Sequence, residues 1–203
     1  MRDFTKTWDA PQKKTRAPPG PLKPHIENAI NLINAQNQRL DFANARLSEK
    51  DRTIFAKVVD SYTKHDRQRA LMYANELAEV RKLEKRVLQI KLALETISLR
   101  LVTVKDYGDF LNTVTPALSI IKGVQSSVLK VVPEAESGFA SLGESLYSIV
   151  TEAGATSGLS VSFETANDDA AKILTDAAAV AEQKIKEKFP ELPAEVSREG
   201  VKL

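Results

Sequence analysis

The amino-acid sequence predicts an all-α fold in which a long antiparallel two-helix hairpin is followed by three shorter helices. Two long segments, at about residues 24–61 and 71–104, carry apolar residues at the three- and four-residue steps that mark one face of a helix. Aromatic residues make up only 6% of the chain, which favours helices over sheets. Most prolines stand near the two ends, so they leave the long segments uninterrupted.

The clearest helical signal lies between residues 83 and 104. Its apolar residues follow one another at steps of four and three: Leu83, Val87, Ile90, Leu94, Ile97, Leu101 and Val104. This is the heptad seam of a coiled coil. Charged residues such as Glu84 and Arg86 stand between them, which predicts that the other faces of the helix are in water. Because an isolated helix is only marginally stable, this hairpin seam must be buried against a partner.

The preceding segment supplies that partner. Five apolar residues recur every seven positions: Ile26, Ile33, Leu40, Leu47 and Ile54. A companion seam holds Ile30 and Val58 but also polar residues, namely Asn37, Asn44 and Asp51. Polar residues on a seam weaken packing but can fix the register and the choice of partner. The alternative interpretation of these three residues is a helix face that is partly exposed to water.

The two long helices are predicted to fold back on each other within the polar stretch SYTKHDRQR, residues 61–69. A short turn here would produce an antiparallel hairpin and lay the two seams together. Neither glycine nor proline forces the turn, so one continuous helix is the alternative.

Two shorter helices are predicted to complete a core over residues 24–153. Thr115 followed by Pro116 is typical of an N-cap with proline at the first helical position. Pro133 marks the start of the next helix, which has acidic residues in its first turn. The charge-free stretch that contains Gly154 and Gly158 predicts a flexible linker over residues 154–165.

The last predicted helix spans residues 166–188, capped by Thr165 or Asn167. Acidic residues occupy its first turn and lysines its last, which suits the helix dipole. Its interior is rich in alanine and buries little area per residue. We therefore expect this C-terminal helix to dock weakly on the rest of the molecule.

Residues 1–23 form a basic, proline-rich segment that we expect to be flexible. Phe4 and Trp8 are four residues apart, so a short helix would place both rings on one face. The nearby cations are Lys6, Lys13, Lys14 and Arg16. Rings can enter a lipid headgroup layer while cations meet anionic lipid, so this segment is a candidate membrane anchor. The alternative is a disordered tail whose aromatic residues have no such role.

The charge of the chain is distributed unevenly. Residues 1–107 carry 21 basic and 13 acidic residues, a net charge of +8, whereas residues 108–203 carry 8 and 14, a net charge of −6. This asymmetry points to an anionic surface as partner, or to a clasp between the two halves. The basic residues of the long helices are interleaved with acids, unlike a stripe that follows phosphates, so we expect no nucleic-acid partner.

The sequence lacks the patterns of common active sites. There is no glycine-rich phosphate loop, no His-Glu-x-x-His pair and no nucleophile elbow. The absence of cysteine excludes disulfides and thiol chemistry, and His25 and His65 stand too far apart to share a metal. We therefore expect no catalytic residue, no metal and no cofactor. Without a signal peptide or a long uncharged apolar run, we expect a cytosolic protein.

Residues 189–203 form a tail that begins with the pattern Φ-Pro-x-Φ-Pro, where Φ is an apolar residue. The four pattern residues are Phe189, Pro190, Leu192 and Pro193. Prolines at this spacing keep the chain extended, with two apolar side chains available for a groove. Prolines that merely end a helix would explain the same residues.

Together these features resemble the ESCRT-III superfamily, whose members share a basic helical hairpin, shorter helices, an acidic carboxyl half and a terminal motif. The stretch RQRALMYANELAEVRKLEKRVLQIKLALETISLRL, from Arg67 to Leu101, is similar to the second helix of that family. The likeness covers about residues 24–193 and is greatest to the archaeal Cdv cell-division (CdvB-type) proteins. Nothing follows Leu203, so we expect the form that lacks a winged-helix domain.

The resemblance implies a function that periodicity alone does not. Family members polymerise with themselves and with paralogous subunits beneath anionic membrane, and the filament constricts the neck during division or budding. The resemblance implies a protein at the inner face of the cell membrane at the division site. It also implies that Phe189, Pro190, Leu192 and Pro193 bind the MIT domain of an AAA-type ATPase, although the pattern stops at Ala194. The alternative is a soluble coiled-coil scaffold or chaperone without a membrane role.

Overall fold

The computed structural model describes residues 22–107, 111–129, 131–157 and 163–189. Its helices, in chain order, are α1 (Leu22–Thr63), α2 (Arg67–Tyr107), α3 (Leu111–Leu129), α4 (Glu136–Ser157) and α5 (Phe163–Lys188), with a 3₁₀ turn at Pro133–Ala135 before α4. No strand occurs among these residues. The predicted all-α fold, with a long hairpin followed by three shorter helices, is therefore confirmed.

The long hairpin consists of α1 and α2, which have 42 and 41 residues. Each is therefore about 60 Å long at 1.5 Å per residue. The seam predicted on α2 lies inside the molecule: Val87, Ile90, Leu94, Ile97, Leu101 and Val104 are all buried. Leu83 differs from this prediction because its side chain is only half-buried. On α1 the predicted seam is buried at Ile26, Ile33, Leu40 and Ile54.

The turn between α1 and α2 closes without glycine or proline. His65 adopts a left-handed conformation with φ of 58°. The amide of His65 donates to the carbonyl of Tyr62 at 3.0 Å, and the amide of Asp66 donates to that of Ser61 at 3.0 Å. These are the two bonds of a Schellman helix end. The Asp66 carboxylate then accepts the amide of Arg69 at 3.1 Å and caps α2. Local hydrogen bonds thus reverse the chain.

The shorter helices cover one end of the hairpin. α3 contacts α2, α4 and α5, while α4 also packs on α1. α4 approaches α1 closely at Gly138, where an added Cβ would overlap the side-chain amide of Gln36. Gln36 is itself 1% exposed. Glycine at this position therefore lets the two helices meet.

The buried apolar residues fall into two clusters along the hairpin. The larger one joins α1 and α2 to α3, α4 and α5. The smaller one lies near the hairpin turn and contains only residues of α1 and α2: Ile54, Val58, Ala74, Leu77 and Val80. The half of the hairpin next to the turn is thus held together by its own two helices.

Three predicted boundaries are corrected by the structure. α3 begins at Leu111, so Pro116 lies inside that helix and Thr115 is not its cap. Proline at this position lacks the amide that would bond the carbonyl of residue 112, so α3 loses one hydrogen bond in its second turn. α1 begins at Leu22, two residues before its predicted start.

The predicted linker over residues 154–165 is also too long. α4 continues to Ser157 and α5 already begins at Phe163. Thr165 and Asn167 therefore lie within α5 and do not cap it. Gly154 is inside α4, where a glycine costs about 1 kcal/mol against alanine but does not end a helix.

The turn predicts an unusual effect of glycine at its left-handed residue. We expect His65→Gly to stabilise the fold by up to about 1 kcal/mol, because a side chain in this conformation is strained. Urea unfolding followed by circular dichroism measures the change. The matched control is His25→Gly within α1, which should destabilise by about 0.5 kcal/mol or more. Equal losses at both positions would contradict the assigned turn.

Candidate functional site at the end of the C-terminal helix

α5 folds back on the hairpin through a face of small side chains. Four residues at steps of three and four are buried: Ala170, Ile173, Ala177 and Ala181. Alanine lets the helix axes approach closely, but each residue removes little apolar area from water. The expected weak docking of an alanine-rich helix remains a prediction, whereas the docked position of α5 on α2 and α3 is observed.

Two ion pairs of opposite polarity join α5 to α2. Lys85 of α2 lies 2.8 Å from Glu182 of α5. Lys188 at the end of α5 lies 2.7 Å from Glu84 of α2. The first pair follows the predicted clasp between a basic hairpin and an acidic C-terminal half. The second reverses it, since here the hairpin supplies the acid.

The end of α5 meets the hairpin in a compact polar cluster, which we name the α5 clamp. It consists of Asp51 on α1, Arg81 and Glu84 on α2, and Lys188 and Phe189 at the end of α5. Nε of Arg81 lies 2.7 Å from Oδ2 of Asp51. The ring of Phe189 lies 5.0 Å from the guanidinium carbon of Arg81 and 5.0 Å from Nζ of Lys188. Both cations are within cation–π range of the ring.

The α5 clamp lies between the two apolar clusters of the hairpin. Along α1, Asp51 comes between Leu40 and Ile54, which belong to different clusters. Asp51 is 2% exposed and Phe189 is 9% exposed. A polar layer of paired charges therefore separates the apolar layers, and α5 ends on this layer.

Glu84 is the most confined charged group of the clamp. Its side chain is 0% exposed. One carboxylate oxygen accepts the Lys188 ammonium at 2.7 Å, while Oε2 has no hydrogen-bond partner. Burial raises the pKa of Glu84 above its ordinary value, Lys188 opposes the rise, and Asp51 adds to it. Lys188 offsets only part of the cost of burial, so the docked arrangement favours the protonated carboxyl of Glu84.

The sequence identified part of this cluster. The sequence marks Phe189 as an apolar residue of a terminal motif and Asp51 as a polar position on a seam. The prediction that Glu84 lies on a wet face is wrong, because α5 covers the side of α2 that a two-helix heptad leaves in water. A buried Asp51 needs a cation, and the search for one opposite it on α2 would have found Arg81.

The remaining predicted binding residues lie outside the described part of the chain. This holds for the anchor residues Phe4, Lys6, Trp8, Lys13, Lys14 and Arg16, and for the motif residues Pro190, Leu192 and Pro193. Within the described ranges, no helix has the length and apolarity required to cross a bilayer. The same ranges contain no group of three or more acidic or histidine side chains placed to hold a metal ion.

A long helical hairpin with shorter helices packed on one end and a C-terminal helix folded back on it defines an ESCRT-III-like protein. Over 194 residues the chain is 42% identical to Cell division protein B1 of Sulfolobus acidocaldarius, covering 95% of this chain and 91% of that protein. Over 175 residues it is 34% identical to Cell division protein B of the same organism, covering 84% of this chain and 67% of that protein. The chain therefore belongs to the CdvB-type ESCRT-III family of cell division proteins, as the resemblance predicted.

No protein-family model matches the chain, and no solved structure does.

The α5 clamp predicts a pH-dependent docking of α5. Glu84 has a raised pKa when α5 covers it and regains water when α5 leaves, so the docked state binds more protons. Docking should therefore be strongest near and below the ordinary pKa of 4.5 and should weaken as pH rises through the raised value. Amide protection factors in α5 should fall from pH 5 upward, by at most about tenfold per pH unit.

Two substitutions distinguish the titration of Glu84 from other causes of pH-dependent docking. Glu84→Gln should leave α5 protection independent of pH between pH 5 and 8. Glu182→Gln is the matched control, because Lys85 and Lys186 lower the pKa of Glu182 to about 2 and it does not titrate in that range. Protection that rises with pH in the unmodified chain would contradict the assignment.

Proposed function

We propose that this chain acts in archaeal cell division by assembling into filaments on anionic membrane, where the filaments constrict and help to sever the membrane neck. The observation that carries the proposal is the 42% identity to Cell division protein B1 over 95% of this chain. The hairpin fold supports it, because a rigid rod of about 60 Å is a suitable building block for a polymer. Constriction would be mechanical, with no bond broken by this chain.

The membrane contact is assigned to residues 1–23. Phe4 and Trp8 would enter the headgroup layer, while Lys6, Lys13 and Lys14, with Arg16, would meet anionic lipid. The net charge of +8 over residues 1–107 supports attraction to an anionic surface. The proposed location of the protein is the inner face of the cell membrane, at the division site.

The proposed protein partners are further copies of this chain and paralogous subunits. Two cell division proteins of one organism, B1 and B, are both similar to this chain. Paralogues of one fold that coexist in a cell present related surfaces, and related surfaces can enter one polymer.

The proposed binding site for an AAA-type ATPase is the motif Phe189, Pro190, Leu192 and Pro193, which an MIT domain would bind. Phe189 lies in the α5 clamp at 9% exposure. A partner that binds this ring must compete with Arg81 and Lys188, which face it. ATP hydrolysis by the partner would supply the energy for disassembly, and this chain would supply the segment that the partner binds.

Removal of the two anchor rings tests the membrane proposal. We expect Phe4→Ala with Trp8→Ala to reduce co-sedimentation with anionic liposomes at least tenfold, because each ring loses its burial in the headgroup layer. Binding of the unmodified chain should also weaken as salt increases. Negative-stain microscopy of the pellet should show filaments or coated tubules.

The control for the anchor variant is Tyr147→Ala, an aromatic residue that is 59% exposed on α4 and outside the proposed anchor. Its binding should equal that of the unmodified chain. If the unmodified chain stays in the supernatant with anionic liposomes at low salt, the protein is a soluble scaffold and the membrane proposal fails.

The ATPase proposal is tested within the tail. Leu192→Asp should weaken binding of the MIT domain to the full chain at least tenfold, because a charge cannot enter an apolar groove without a large desolvation cost. Calorimetric titration measures the affinity. Val201→Asp adds the same charge to the tail outside the motif and should bind as the unmodified chain does. Equal loss in both variants would argue for a general charge effect and against the motif.

A further inference from the structure

α5 is directed along the hairpin toward its turn. Three contacts between α5 and α2 show the direction: Leu174 with Gln89, Glu182 with Lys85, and Phe189 with Arg81. The residue numbers rise on α5 while they fall on α2, so the two helices are antiparallel. The chain that follows Phe189 therefore starts at Arg81, with 16 residues of α2 and the turn, about 24 Å, between Arg81 and His65.

The side of α2 that receives α5 continues toward the turn as a partly apolar surface. Residues seven apart lie on the same side of a helix in a hairpin. Ala78 and Leu71 precede Lys85 at seven-residue steps, and Arg67 precedes Arg81 by two such steps. Leu71 is half-buried and Arg67 is exposed. α5 ends before it reaches either of them.

α1 contributes three large side chains to the same side of the hairpin. Asp51 pairs with Arg81 at 2.7 Å, and Phe55 and Val59 follow Asp51 at steps of four residues. Tyr62 follows Phe55 by seven. Phe55 and Tyr62 pack on the smaller apolar cluster with only part of each ring in water, whereas Val59 is 41% exposed. We name the set of Phe55, Val59 and Tyr62, with Leu71 of α2, the turn groove.

The opposite side of the hairpin is marked by two contacts between its helices. Nζ of Lys50 lies 3.3 Å from Glu76, and Nζ of Lys57 lies 5.6 Å from the centre of the Tyr73 ring. Side chains two residues apart leave a helix in nearly opposite directions, which separates this side from the turn groove. Met72 precedes Glu76 by four residues and is 58% exposed on this opposite side.

The tail that follows α5 matches the turn groove in length. Its prolines favour an extended chain of about 3.1 Å per residue, so Leu192 would lie about 9 Å beyond Phe189. Phe55 and Val59 are four and eight residues beyond the aspartate of the α5 clamp, which is about 6 and 12 Å along the helix. Leu192 would thus lie between these two side chains.

The charges of the tail and the groove are complementary. The first two charged residues of the tail, Glu191 and Glu195, are both acidic. Glu195 would lie about 19 Å beyond the end of α5 in an extended chain. Arg67 stands about 21 Å from Arg81 along α2, at the far end of the turn groove. An acid of the tail would therefore meet an exposed cation of the hairpin.

We propose that the turn groove binds the tail of its own chain, with Leu192 between Phe55 and Val59 and with Glu195 beside Arg67. The contact continues the interface of docked α5 toward the turn. It needs neither membrane nor a second protein, so it stands apart from the proposed membrane and ATPase roles. One consequence does rest on the proposed ATPase motif: an MIT domain and the turn groove would compete for Leu192.

A disulfide within one chain tests the contact, because the chain contains no cysteine. The test variant is the full chain with Val59→Cys and Leu192→Cys, equilibrated without lipid in glutathione buffers of known redox ratio. Non-reducing gels and mass spectrometry after alkylation measure the fraction bonded within one chain. This fraction gives the effective concentration of one thiol at the other.

The matched control is Met72→Cys with Leu192→Cys. Met72 is exposed and nearly level with Val59 along the hairpin, but it lies on the opposite side. We expect an effective concentration at least tenfold higher in the test variant than in the control. Equal values would mean that the tail samples both sides without binding, and would overturn the proposal. Dimers of the test variant would mean that the groove takes the tail of a second copy, which also overturns it.

A charge reversal tests the second part of the contact. In the test variant, Arg67→Glu should lower the effective concentration by up to about fivefold, because an exposed ion pair contributes little free energy. Adding Glu195→Arg should restore it. A loss that the second reversal does not restore would overturn the pairing of Glu195 with Arg67.

The competition is tested by calorimetric titration of the full chain with an MIT domain. Val59→Asp should release the tail and tighten binding at least threefold, because no docked state then reduces the apparent affinity. Met72→Asp should bind as the unmodified chain does. Equal affinities of the three proteins would overturn the competition. Absence of MIT binding in all three would remove the proposed motif, while a preferred Val59–Leu192 disulfide would still uphold the turn groove.

Discussion

The antiparallel pairing of α1 and α2 is the constraint on which the rest of the structure depends. Each helix has about 40 residues and an apolar face whose exposure to water is unfavourable. An isolated helix is only marginally stable, so each needs the other. Their pairing buries the seam of α2 and creates the surfaces on which α3, α4 and α5 pack. Among the described residues, the pairing supplies the whole core near the turn, since the smaller apolar cluster contains only hairpin residues. The shorter helices of this part of the chain are added to one end of the rod.

The α5 clamp shows how the last helix is held in place without a large apolar interface. The face of α5 is built from alanines and one isoleucine, which contribute little area each. The end of the helix instead relies on Phe189 against two cations and on Lys188 against a buried carboxylate. A buried charge that loses its partner is costly, so such a pair gives specificity at the docked position. Because Lys188 is 40% exposed, water can replace its half of the pair when α5 leaves.

The surfaces that α5 covers and those that stay exposed have separate roles in the proposed function. α5 covers the inner side of α2 and brings Phe189 into the clamp, where the first residue of the proposed ATPase motif is shielded. Large apolar side chains elsewhere on the hairpin, namely Phe42 on α1 and Leu99 on α2, remain exposed with α5 docked.

The sequence alone determined the fold, because heptad spacing along two segments of similar length has few solutions other than a hairpin. It also determined the family, because the order of basic hairpin, acidic half and terminal motif is distinctive. It did not determine that the turn falls at His65, since neither glycine nor proline marks that position, or the start of α3, since proline was tolerated inside it. Nor could it place Glu84, Arg81 and Lys188 together. Their contact depends on which side of α2 receives α5, and only tertiary packing decides that, because Lys188 is 104 residues from Glu84 in the sequence.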